Sequence, residues 1–156
     1  MKSNKCIIIY DTITGNTTKI AKAIAKVLKA RVIRVNKVKL KQVEKYDLVG
    51  FGSGIYTMTH HKSLLKLAGK LKAKQGQKAF VFSTAGTCSL KLIWHNQLKT
   101  KLLNKGFEII GDFCCKGFDN FGPLKIVGGL NKGHPNKEDI IKVKEFARML
   151  KERLKS

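Results

Sequence analysis

The chain is short of acidic residues: 10 Asp and Glu face 32 Lys and Arg among 156 residues, a formal net charge of +22 at pH 7. It is also short of arginine, with only Arg31, Arg34, Arg148 and Arg153. Sequence-specific nucleic-acid complexes lean on Arg forks for base edges and phosphates. Here lysines are spread over every predicted helix with little aromatic interleaving, so a specific nucleic-acid reader is not expected. Salt-sensitive, nonspecific binding to polyanions follows from charge alone. The lysine excess reads first as a bias of solvated faces, and second as a field that steers acidic partners.

Proline is scarce, at Pro123 and Pro135 only. No repeat, linker or low-complexity segment divides the chain, and 156 residues suffice for one domain with a proper core. Apolar runs fall far short of a membrane span. The first strand pattern begins so close to Met1 that no signal peptide fits before it, which predicts a cytoplasmic protein. The four cysteines, Cys6, Cys88, Cys114 and Cys115, include no C-x-x-C. A disulfide framework or zinc site is not expected, and Cys6 and one of the adjacent pair are predicted as small buried hydrophobes. His60 and His61 are adjacent and cannot both face one site on a helix. They are expected to be cap or surface groups rather than metal ligands. There is neither a G-x-G-x-x-G nor a Walker-type lysine loop.

What is present is an alternation of apolar strands and amphipathic helices. Strands are predicted near 5–10, 31–35, 47–53, 78–83 and 108–115. Helices are predicted near 17–29, 61–71, 89–105 and 137–155, with a short helical piece at 39–45. Five such strands imply a parallel sheet covered on both faces, and right-handed crossovers favour a doubly wound α/β sheet. Trp94 occupies a core-like helix position and is predicted to pack. In such sheets ligands bind beyond the carboxyl ends of the strands, which directs attention to three loops.

The first is Thr12-Ile13-Thr14-Gly15-Asn16-Thr17, between the first strand and first helix. A helix N-terminus offers unpaired N–H groups and positive partial charge. Three Thr hydroxyls and one Gly beside it suit a lone phosphomonoester better than a pyrophosphate. An ordinary turn with Asn16 or Thr17 as N-cap is the plainer alternative. The second loop, Ser53-Gly54-Ile55-Tyr56, combines small residues with a ring able to stack. The third, Ser83-Thr84-Ala85-Gly86-Thr87, is small and hydroxylated.

The T-x-T-G-N-T loop after a first strand resembles the phosphate loop of the flavodoxin family, which binds flavin mononucleotide (FMN). The resemblance covers the whole chain and implies strand order 2-1-3-4-5. It also implies that residues 12–17 hold the phosphate, Ser53 to Tyr56 border the inner face of the isoalloxazine, and Ser83 to Thr87 line its ribityl chain and pyrimidine edge. The third loop lacks the aromatic and the acidic residues usual in flavodoxins. A long segment, 116–135, follows the last strand, and Phe118 or Phe121 is the candidate for the missing aromatic cover. The Gly-Ser-x-Ile-Tyr to His stretch and this extended loop are also similar to the protoporphyrinogen oxidases of the same fold group.

The expected function is electron transfer by bound FMN, with a redox partner protein of acidic surface and a monomer or weak dimer in solution. No catalytic residue or metal is assigned, because the flavin supplies the redox chemistry. An FMN-dependent oxidoreductase of a quinone or porphyrinogen is the alternative, and a nucleic-acid module on this fold is the weakest reading. Lys62 and Lys116 adjoin the predicted flavin loops, with Lys125 and Lys132 farther along the last one. They are expected to favour the negatively charged reduced flavin.

Overall fold

A computed structural model describes residues 3–118, 128, 129 and 131–156. Phe121, Pro123 and Lys125 lie outside the described residues. The strands are β1 (Cys6–Tyr10), β2 (Arg31–Arg34), β3 (Leu48–Tyr56), β4 (Thr59–His60), β5 (Lys78–Ala85) and β6 (Glu108–Lys116). The helices are α1 (Asn16–Leu28), α2 (Leu40–Val43), α3 (Lys62–Lys70), α4 (Lys91–Asn104) and α5 (Lys137–Lys155), with a 3₁₀ turn at Val35–Lys37. The five long strands pair in parallel in the order β2-β1-β3-β5-β6. This is the expected doubly wound order, with one addition: β4 pairs antiparallel with the end of β3.

Alternation along each strand builds two apolar layers. Ile8, Leu48, Phe80 and Phe82 face α1 and α5, meeting Ile20, Ile24, Val143, Phe146 and Leu150. Ile7, Ile9, Val49, Phe51 and Val81 face α3 and α4, meeting Leu64, Leu67, Leu98 and Leu102. Gly50 and Gly52 of β3 are register partners of Phe80 and Phe82. A side chain at either glycine would fall inside the neighbouring ring. Trp94 is buried, as its helical spacing predicts.

Two sequence expectations are corrected. A disulfide joins Cys88 to Cys114, with the Cα atoms 5.7 Å apart. Pairing of β6 with β5 sets Cys114 beside Ser83, and the chain leaving β5 brings Cys88 back over β6. That proximity is created by sheet register and leaves no spacing motif. Cys6 and Cys115 are the buried thiols, and burial pushes them up to about 11 and about 12 respectively. His60 is not a surface group but is fully buried. His61 does cap α3, its Nδ1 accepting from the Ser63 backbone N–H.

Candidate functional site

The loops after β1, β3, β5 and β6 meet around a cleft of about 300 Å³ at the carboxyl ends of the strands. That volume is at the lower end of small-molecule sites.

From the first loop, Ile13, Thr14 and Asn16 line the cleft. Thr12 turns back, its Oγ1 accepting from the Gly15 N–H at 2.9 Å. Gly15 occupies the cap position of α1 with φ of 87°, and no side chain caps the helix. The plainer alternative of an Asn16 or Thr17 cap is therefore not realised. A helix opening without a side-chain cap leaves first-turn N–H groups for a ligand. The Asn16 Nδ2 donates to the Phe118 carbonyl at 2.9 Å, tying the loop to the far wall. Thr17 lies buried below, its hydroxyl 2.9 Å from that of Thr84.

From the second loop, Gly54, Ile55, Tyr56 and also Thr57 line the cleft. Strand β3 runs to Tyr56, three residues past its predicted end, because β4 gives it a partner: Ile55 pairs with His60 and Tyr56 with Thr59. Thr57 and Met58 make the two-residue turn with φ of 51° and 68°. Both central residues in left-handed conformation define the hairpin turn that normally takes Asn-Gly. Side chains there carry backbone strain, which functional sites often hold. The Tyr56 ring stands edge-on to His61 and folds over Gly54, where a Cβ would press on the phenol.

From the third loop, Thr84, Ala85 and Gly86 line the cleft, while Thr87 is exposed and its hydroxyl faces that of Ser89. Gly117 and Phe118 complete the wall. Gly117 and Thr57 lie on the loops the sequence singles out after its third and fifth strands but were not among the residues expected to bind.

Ser53 and Ser83 belong to the floor. They are register partners on β3 and β5, both fully buried. Ser53 Oγ donates to the Gly54 carbonyl, accepts from the His61 N–H, and lies 3.0 Å from His60 Nδ1. Ser83 Oγ is 2.6 Å from His95 Nε2. The two imidazoles pack with centroids 4.9 Å apart. His60 Nε2 and His95 Nδ1 have no hydrogen-bond partner among the described residues. Burial, then the neighbouring His95, lowers His60 to about 3, so it is neutral at physiological pH. His95 Nδ1 faces Asp112 at 3.7 Å, beyond hydrogen-bond length. His95, with Lys91 and Lys99, holds the Asp112 carboxyl well below the usual range. Ser83, His95 and Asp112 stand in the order of a hydrolytic triad, but a wholly buried Ser83 meets no substrate.

Beside the phosphate loop, Asp11 accepts from the Thr12 N–H, Arg34 and the Ser63 hydroxyl. Burial opposes its ionisation, yet the Ser63 and Thr12 hydrogen bonds, His61 and Arg34 together hold it below the usual carboxylate value. Asp11 is therefore an anion already neutralised by its neighbours. Exposed Lys62, Lys116 and Lys132 leave the surroundings positive.

A doubly wound parallel sheet with an anion-ready helix N-terminus and three glycine-bearing walls defines the flavodoxin-like class of α/β proteins. The flavodoxin domain matches residues 7–116, and the chain belongs to the flavodoxin family. An uncharacterised protein of Methanocaldococcus jannaschii is 52% identical over 147 residues, covering 94% of this chain and 97% of that protein. The oxidised flavodoxin 1 of Bacillus cereus superposes with a TM-score of 0.71 at 19% identity, over 95% of this chain and 97% of its own. The FMN-bound flavodoxin of Fusobacterium nucleatum superposes with a TM-score of 0.67 at 15% identity, over 96% and 98%. At these identities the structural neighbours speak to fold.

Proposed function

We propose that the chain is a single-domain, FMN-binding electron carrier of flavodoxin type. The observation that carries this reading is the cleft itself, where three loops and the uncapped N-terminus of α1 converge. The residues fit FMN: a lone phosphate suits the open first turn of α1 with Thr14 and Asn16 beside it, and no glycine-rich pyrophosphate loop is present. Gly54, Gly86 and Gly117 allow backbone to approach a flat ring, and Tyr56 and Phe118 supply apolar walls. When bound, FMN supplies one- and two-electron chemistry.

The chain's own part is positioning and field. Asn16 holds the first loop to the last wall. The Thr17–Thr84 pair holds the first loop to the third. Lysines around the rim favour negative charge in the cleft and an acidic partner surface. Helices long and apolar enough to span a membrane do not occur among the described residues. The proposed carrier acts in the cytoplasm as a monomer or weak dimer.

A second reading, an FMN-dependent oxidoreductase of a flat substrate such as a quinone or porphyrinogen, draws on Ile13 and Met58. They are 65% and 57% exposed beside the cleft and on its hairpin. The experiment is to load the protein with FMN, reduce it anaerobically, and offer a quinone, a porphyrin precursor or an acidic electron-transfer protein. Fast reoxidation by the protein alone supports the carrier. Turnover with the small molecule supports the enzyme.

A further inference from the structure

Two of the four cysteines are sealed in the core and two are not. Cys6 and Cys115 are buried thiols, and burial raises the pKa of both, which keeps them unreactive. Cys88 and Cys114 are half-exposed, and these are the two that pair. Their bond closes a ring around α4 and fastens the end of the third cleft loop to β6. Cys88 stands two residues beyond Gly86, which lines the cleft, and two before the Leu90 cap of α4. Cys114 stands three before Gly117, on the opposite wall. Among the described residues, other ties on the loop are few. The Gly117 N–H reaches the Ala85 carbonyl at 3.0 Å, Asn131 donates to the Gly86 carbonyl, and Thr87 and Ser89 engage each other.

We propose that Cys88–Cys114 is a thiol–disulfide exchange site, opened by an external dithiol, whose state sets how firmly the loop after β5 holds the cofactor. The cofactor half of this statement rests on the FMN reading above. A thiolate of the dithiol attacks one protein sulfur, the S–S bond breaks, and the departing sulfur takes a proton. The second thiol of the reductant then attacks its own sulfur in the mixed disulfide, that S–S bond breaks, and the released protein sulfur takes a proton. The protein gains two electrons and two protons as two thiols, and the dithiol leaves as its disulfide. With the bond open, the segment joining Ala85 to α4 must be ordered again each time a ligand binds, and affinity falls.

The test uses the full chain. FMN is titrated before and after treatment with dithiothreitol, free thiols are counted on the folded protein, and hydrogen exchange is followed at residues 84–89. Reduction is expected to expose two further thiols, to speed exchange in 84–89, and to raise the FMN Kd about tenfold, the cost of fixing about one residue. The Cys88→Ser, Cys114→Ser double variant should reproduce the reduced values and ignore dithiothreitol. If that variant does not fold, the wild-type pair of measurements still decides. A bond that resists dithiothreitol in the folded chain overturns the proposal. So does a reduced chain with unchanged exchange and Kd. If neither state binds FMN, the cofactor reading fails on its own account. Exchange at 84–89 then decides for the switch if it speeds up and against it if it does not.

Discussion

At the carboxyl ends of β3 and β5 the two faces of the sheet part company. Toward α1 and α5, the apolar layer ends in the Thr17–Thr84 hydroxyl pair, a satisfied contact beside the cleft. Toward α3 and α4, it ends in Ser53, Ser83, His60 and His95, a buried cluster with two imidazole nitrogens lacking hydrogen-bond partners among the described residues. One step along β5, from Ser83 to Thr84, crosses from one face to the other. Neighbouring hydroxyls that look equivalent in sequence thus have opposite tasks. One binds the cleft walls together, and the other holds the packed His60–His95 pair beneath its floor. The first face should be indifferent to pH, and the second should not.

Acid is the strongest way to break that contrast. Folded His60 takes a proton only near pH 3, against 6.5 in its ordinary state. Between those values the unfolded chain holds more protons, so stability rises with pH across the window and drains away as pH falls from 6.5 toward 3. The loss is on the order of several kcal/mol. Asp11 and Asp112, both held low, add their own loss only below the ordinary carboxylate value of 3.8. Thermal unfolding of wild type and His60→Gln at pH 4.5 and 7 checks this. The variant should lose most of the difference between the two pH values. An equal difference would move the acid sensitivity elsewhere.

The next contrast is covalent. The histidine side carries α4, which is enclosed by the Cys88–Cys114 bond across a separation of 26 residues. No crosslink spans α1 on the other face. A closed loop of that length stabilises by roughly 3–4 kcal/mol on the chain-entropy account. Cys114→Ser should therefore lower the melting temperature by about 10 °C. A shift within a degree or two would show that the bond contributes little to the fold.

Charge offers a smaller effect, and one that sharpens the comparison from outside. Lys62 opens α3 on the histidine side, whereas Lys116 ends the edge strand β6 and Lys132 lies beyond it. Replacing all three by Gln removes positive field from the cleft and should lower the flavin reduction potential by roughly 30–60 mV at low salt. Potentiometric titration at two ionic strengths decides it. An unmoved potential would leave the +22 charge as a solvated surface bias.

The first face was far more legible in the sequence than the second. Cys6 to Tyr10 followed by a Thr-rich loop and Ile20, Ala23, Ile24, Val27 and Leu28 at helical spacing announces strand, anion site and helix in one local stretch. Parallel pairing followed from alternation of elements, and the strand order from the family resemblance. The hairpin at Thr57–Met58 left no signal, because neither residue favours the left-handed backbone both adopt. Burial of His60, on strand β4, depends on His95 in α4 and on Ser53 and Ser83 falling into register. The disulfide depends on that same pairing of β5 with its neighbours. Each of these is a product of strand register, which periodicity along one segment does not encode.

The central claim is that this cleft holds a flavin by its terminal phosphate, and titration of the purified chain with FMN and riboflavin, read by visible absorption and flavin fluorescence, tests it most directly. The account predicts that FMN binds well ahead of riboflavin. It also predicts that Thr14→Ala weakens FMN by about 1–2 kcal/mol, the worth of a hydrogen bond to a charged group, and leaves riboflavin unchanged. Equal affinity for the two ligands, or equal losses in the variant, would contradict it and place the phosphate away from the N-terminus of α1.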